Sequence, residues 1–226
     1  MANSKNVKNH PFMVKDCALI ALASGKKVQN LREMRDVLYT ISPDSIYYHF
    51  WGGLLRPRFD NPEYHNDFAI WSAHSLHDKI MAERLAIIDP IEFNTLENLR
   101  SELVDLIEER LDEVDYPIWA KRDEQFEFIR SQIVIFDTRK TVLKPGDLPK
   151  ALPHFSVGSI FYHFIDARRR LNNSLDDFQN WFLNFGDTYM DLCYQIAEID
   201  PYFLPLYQLR QKLTSVFTDY FKKEKI

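Results

Sequence analysis

Histidine, arginine and carboxylate side chains crowd together at only a few places in this chain of 226 residues, and their spacing limits what chemistry each place can do. His74 and His77 stand three residues apart with Asp78 beside them, two imidazoles and a carboxylate of the kind that hold a divalent metal. His49 lies among aromatic rings in SIYYHF, residues 45–50. An imidazole there is either a general base or a buried group bonded to a carboxylate, with Asp67 the natural partner. Glu83 is a candidate acid or base beside Arg84. Arg56 and Arg58, in LLRPRF, bring guanidinium groups near Tyr48, His49 and His65 in sequence, a set suited to a phosphate, carboxylate or sugar phosphate. The metal triplet lacks an HExxH or a repeated carboxylate–histidine pattern, so a solvated helix face is the simpler reading and no metal is predicted. No GxGxxG, Walker loop, GxSxG or paired zinc-ligand spacing occurs, and no cofactor is identified.

These residues sit in a sequence that repeats. SIYYHF at 45–50 returns as SIFYHF at 159–164, and residues 12–50 align with 126–164 without a gap, ten of 39 positions being identical. The echo continues at an offset of 110 or 111, matching Asp67, Phe68 and Trp71 with Asp177, Phe178 and Trp181, and Ile88, Asp89 and Pro90 with Ile199, Asp200 and Pro201. A tandem duplication is the expected origin, with repeats at 1–115 and 116–226 in one globule. Groups kept twice, Tyr48/Tyr162, His49/His163, Asp67/Asp177 and Trp71/Trp181, lean structural, and chemistry is expected in what the first repeat alone has.

Each repeat opens with an apolar stretch, 12–23 or 126–136; aromatic and β-branched residues dominate the second and suggest a strand, while the first reads as either a helix turn or a strand and is taken as a strand by analogy. Asn30 precedes a helix whose Leu31, Met34, Leu38 and Ile41 make one stripe, with Glu33 placed for a capping box. Ser42, Pro43 and Asp44 start the next helix, which carries SIYYHF, and Ser156 keeps the cap in the second repeat. Asn66 or Asp67 opens one helix running to Asp89 and Pro90; Leu96, Leu99, Leu103 and Ile107 mark the last. The expected fold is therefore mainly α: a duplicated four-helix unit, each copy preceded by a short β element, packed about a pseudo-twofold axis, with α+β as the alternative.

Charge and composition narrow the function. A net charge of −5 without an internal basic run predicts no nucleic-acid partner, and the longest apolar run, Cys17 to Ala23, is too short to span a bilayer. Cys17 and Cys193 do not occupy equivalent places in the repeats, which fits reduced thiols in a cytoplasmic protein better than a disulfide framework.

SIYYHF with NDFAIW at 66–71, AERL at 82–85, IDP at 88–90 and the upstream LREM resembles the bacterial and archaeal family catalogued as domain of unknown function 5752. The resemblance implies a cytosolic prokaryotic protein and supplies no activity, fold or ligand. The second repeat lacks AERL, so a site built on Glu83 and Arg84 would be absent from it. The leading expectation is a binding or regulatory protein that holds a small anionic ligand, or a protein partner or second copy, in an aromatic cleft lined by Tyr48, His49, Arg56, Arg58, Asp67 and Trp71. The rival is a hydrolase or transferase using His49 or His74/His77 with Glu83 and Arg56/Arg58.

Overall fold

Alternating aromatic and β-branched residues make strands here, and longer ones than the sequence pattern marks. The computed structural model describes residues 11–56, 63–171, 174–202 and 204–223. In it β1 spans Phe12–Val28 and β2 spans Phe126–Val142, each 17 residues, paired as a two-stranded antiparallel sheet. Ser24 and Gly25, which looked like the end of the first strand, form a bulge instead. Gly25 takes φ +75°, the Ser24 hydroxyl donates to the Phe128 carbonyl, and the strand continues to Val28. Among the described residues 58% are helical and 17% lie in strands, which overturns the mainly α class and its short β elements; α+β describes the chain.

Among the described residues five α-helices lie between β1 and β2. Asn30 caps α1 (Leu31–Leu38) by accepting from the Glu33 amide, and Glu33 returns a bond to the Gln29 amide at 2.8 Å. Pro43 starts α2 (Pro43–Trp51), but Ser42 makes no capping bond there, its hydroxyl turning to Asp44. The single helix expected from Asn66 to Pro90 is two. α3 (Asp67–His74), capped by Asn66, ends where His77 enters the left-handed region at φ 55°, and Asp78 caps α4 (Lys79–Ile87). α5 (Leu96–Glu113) buries Leu99, Leu103 and Ile107. After β2 come α6 (Leu148–Ala151) and α7 (Val157–Ile160), the latter capped by Ser156. A π-helical turn at Phe161–Asp166 carries the chain into α8 (Ala167–Arg170). α9 (Asp177–Phe182) opens with an Asp176/Gln179 capping box, and α10 (Met190–Ala197) and α11 (Leu206–Lys223) complete the chain. No helix among the described residues is long and apolar enough to cross a membrane.

Contacts gather these elements into two compact units. One, the contiguous unit, is Leu19–Val134; the other, the composite unit, joins the residues up to Ala18 to those from Ile135 onward. Each unit thus holds helices that follow one strand together with the opening segment of the other strand. In the contiguous unit Phe68 of α3 stacks on Phe126 of β2 at 5.1 Å, among the buried rings of Phe50, Trp51 and Phe128. In the composite unit Phe178 of α9 stacks on Phe12 of β1, also at 5.1 Å, above Phe217 and Phe182. The strand positions buried are the same in both: Phe12, Val14 and Cys17 against Phe126, Phe128 and Ser131.

Candidate functional site

The outer edge of a two-stranded sheet exposes N–H and C=O groups that need partners. SIYYHF supplies them. In an antiparallel strand the two polar groups of one residue point the same way. At Ile129 both meet α2: the carbonyl accepts from the Ser45 hydroxyl at 2.7 Å and the amide donates to His49 Nε2 at 3.1 Å. Next to this pair the Ser131 hydroxyl donates to the Asp44 carbonyl at 3.0 Å. Two helical side chains thus stand where a third strand would.

The composite unit repeats the clamp. His163 Nε2 accepts from the Lys15 amide at 2.8 Å, and the Cys17 thiol donates to the Gly158 carbonyl at 3.3 Å. Gly158 stands where the other repeat has Asp44, because a Cβ there would lie 2.3 Å from both Asp16 Oδ1 and the Cys17 carbonyl. Burial pushes the Cys17 thiol up to about 12 and Cys193 to about 11, so neither is a nucleophile at neutral pH.

The clamp decides what the histidines do. A backbone amide can only donate, so Nε2 is the acceptor and the ring proton sits on Nδ1. That nitrogen meets Asp67 Oδ2 at 2.9 Å in one unit and Asp177 Oδ2 at 2.7 Å in the other. Both nitrogens of His49 and of His163 are therefore committed to the fold. Neither is left to take a proton from a substrate or to ligate a metal. Asp67 was identifiable as the partner in sequence; the strand amide was not, because it lies 80 residues away on the segment that opens the other repeat.

The remaining first-repeat candidates do not converge. His74, at the last turn of α3, and His77 are exposed, whereas Asp78 is buried and bound to the Met81 amide and to Arg110 at 2.9 Å. Among the described residues no group of three His, Cys, Asp or Glu is placed to hold a metal. Glu83 is exposed and accepts from the Tyr64 hydroxyl, and Arg84 pairs with Glu113 at 2.7 Å. His65 is buried against the Ile88 carbonyl. Trp71 donates its indole N–H to the Glu124 carbonyl at 2.8 Å and packs on Phe126. Arg56 lies over the Tyr48 ring, 4.7 Å from its centre, and donates to the hydroxyl; Arg58 lies outside the described residues.

The equivalents of this aromatic and arginine set line an open cavity of about 310 Å³ in the composite unit. Tyr162, His163, Asp177 and Trp181 stand in its wall, with Phe12 closing one side. Arg170, 114 residues after Arg56, lies over Tyr162 at 4.3 Å and donates to Asp177 Oδ2 at 2.9 Å. Three further polar residues face the space: Lys15 from β1, Asn180 on α9 and Asn184 just beyond it. The matching positions in the first repeat are Ile70 for Asn180 and His74 for Asn184, while Ile129 matches Lys15. Weighing only groups kept twice or grouped with the first repeat's histidines and arginines hid these three: Asn180 and Asn184 lie in the second repeat, and Lys15, in the first, meets them only because its strand segment packs with the second repeat's helices.

The same unit buries an unusual carboxyl. Asp176, which caps α9 through Oδ1, is fully buried, and its Oδ2 lies 3.7 Å from Arg168 Nη2 with no hydrogen bond. Burial pushes it up to about 7 against the pull of Arg168 and the Gln179 and Phe178 amides. The corresponding positions of the first repeat carry Leu54 and Asn66, the latter donating to the Leu85 carbonyl at 2.9 Å.

Comparison with known proteins bears on the whole chain. A family model described as Family of unknown function (DUF5752) matches residues 9–218. No curated protein matches the chain. The solved structure of OrfY from Thermoproteus tenax is similar over 93% of this chain and 95% of its own, at 25% identity and a TM-score of 0.79.

Proposed function

This chain belongs to the family of unknown function DUF5752, and for this member of it we propose a binding role: the composite unit holds a small anionic molecule in the cavity between Lys15 and Arg170. The observation that carries the reading is the charge balance of the wall. Asp177 is already shared by His163 and Arg170, while Lys15 makes no ion pair among the described residues. A carboxylate or phosphate is the group that balances Lys15 and takes the guanidinium N–H bonds left over on Arg170. The Asn180 and Asn184 carboxamides, one helical turn apart, suit the neutral polar part of such a molecule, and the volume is that of a small-ligand site. This favours the small-ligand branch of the sequence expectation over a protein partner, and over catalysis by His49, whose ring nitrogens are both engaged.

The test is a thermal-shift and calorimetric screen with small carboxylates, nucleotides and sugar phosphates. A ligand at about a hundred times its Kd adds about 2.7 kcal/mol of stability, a shift of several degrees in Tm for a chain this size. Lys15→Ala keeps the backbone amide that His163 needs and is expected to weaken binding about tenfold or more. If no anion at millimolar concentration raises the Tm, or if Lys15→Ala binds as tightly as the parent, the reading is wrong.

A further inference from the structure

A second cavity of the composite unit lies apart from the first, and its argument starts from a pair of matched arginines. Arg100 on α5 and Arg210 on α11 make the same structural bond: Arg100 Nη2 donates to the Ile41 carbonyl and Arg210 Nη1 to the Phe155 carbonyl, each at 2.7 Å. Their charges are treated differently. Arg100 is neutralised one turn back by Glu97 at 2.7 Å, whereas Tyr207 replaces that glutamate before Arg210. Among the described residues Arg210 has no ion-pair partner, and it borders a cavity of about 210 Å³.

The rest of that wall is suited to an anion. Lys140 adds a second cation, and Ser156, Ser159, Thr138 and His154 add hydrogen-bonding groups. One carboxylate, Asp16, is present, with Oδ1 already accepting from the Cys17 amide at 2.8 Å. We propose that this cavity binds a phosphate group, held between the Arg210 guanidinium and the Lys140 ammonium with the Ser159 hydroxyl as a further donor, the Thr138 and Ser156 hydroxyls already donating to the Val14 carbonyl and to Ser159. A guanidinium already fixed by a backbone carbonyl loses little freedom when it binds, so its remaining N–H groups are pre-oriented for a tetrahedral oxyanion.

The experiment is a titration of the full chain with inorganic phosphate, and in parallel with phenyl phosphate, followed by amide NMR and calorimetry. Saturable shifts are expected at the amides of Thr138, Lys140, Ser156 and Ser159. Tyr207→Glu is the decisive variant, since it restores at an exposed position the carboxylate that Glu97 gives Arg100; it should weaken binding about tenfold or more. Lys140→Ala, also at an exposed position, is the second, and is expected to act in the same direction. Lys15→Ala, in the other cavity, should leave these shifts unchanged. Tighter binding of phenyl phosphate identifies a phosphate ester as the ligand, and equal binding identifies free phosphate. The proposal fails if millimolar phosphate moves none of these amides, or if the shifts survive undiminished in both Tyr207→Glu and Lys140→Ala.

Discussion

The contiguous and composite units hold the same clamp around different polar content. In both, a SIYYHF-type helix gives an imidazole to a strand amide, α3 or α9 gives an aspartate to the imidazole, and Phe126 or Phe12 stacks on the equivalent helical phenylalanine, Phe68 or Phe178. Around that common frame the contiguous unit places Ile129, Ile70, Leu54 and an arginine matched by Glu97. The composite unit places Lys15, Asn180, Arg168 and an arginine with no such match. A residue kept in both units therefore answers to the sheet edge both must cover. Residues polar in one alone answer to something only that unit has, and there they line two cavities and surround one buried carboxyl.

The comparison is broken most severely by removing a clamp. His49→Ala and His163→Ala each leave a strand amide without its acceptor and take the imidazole N–H from an aspartate, Asp177 keeping Arg170, and each opens a gap among aromatic rings. Each is expected to cost about 4 kcal/mol, read from urea denaturation. The two losses should agree to within about 1 kcal/mol, because the histidines make the same pair of bonds and only Asp177 keeps an arginine. A loss at His163 much below that at His49 would mean that the composite unit uses its histidine for something other than holding β1.

The buried charges come next. Asp176→Asn leaves the Arg168 guanidinium without a carboxylate at a site where its side chain is only 10% exposed, a loss of about 3 kcal/mol. Arg168→Leu with Asp176→Asn copies Leu54 and Asn66 and should return stability to within about 1 kcal/mol of the parent. The pH dependence separates the two states further. Asp176 is held at about 7 in the fold against an ordinary 3.8, so the folded chain binds that proton more tightly than the unfolded chain. Its contribution to stability is present in full below the lower value and is lost as pH rises through about 7. The double variant should lack this fall, and a parent whose stability does not decline over that window would contradict the burial argument.

How much of this could be read in the sequence follows the range of the interactions. Caps set within a few residues, Asn30 with Glu33, Asn66 with Ala69 and Ser156 with Ser159, were legible. Ser42 was misread because its hydroxyl prefers the Asp44 carboxylate two residues on. The bond from His49 to Asp67 was legible because the repeat carried both residues in register. What escaped depended on the other repeat or on one backbone angle. The strand amides that fix the histidine tautomer come from the opposite repeat's strand, and His77, turning left-handed, ends the helix on which His74 and Asp78 would have shared a face. The cavity residues escaped for a third reason: Lys15, Asn180 and Asn184 belong to no motif and acquire meaning only from the space they face.

The smallest predicted effect tests whether the bulges are as well matched as the clamps. At the position equivalent to Gly25 the second repeat has Arg139, and it adopts the same left-handed conformation, φ 58° against 75°. The surrounding bonds are the same: Thr138 donates to the Val14 carbonyl as Ser24 does to Phe128, and the Lys140 and Lys26 amides donate to those hydroxyls. Since the bonds are shared, the two sites differ mainly in the crowding that a Cβ brings to a left-handed residue. Arg139 is exposed and pays that strain without a buried contact in return. Arg139→Gly removes the strain but loosens the unfolded chain, so the two effects partly cancel and a net gain of about 0.5–1 kcal/mol is expected. Gly25→Ala should lose about as much. If Arg139→Gly destabilises the protein instead, the arginine side chain has a role at the bulge that Gly25 cannot share, and the match between the two strands ends there.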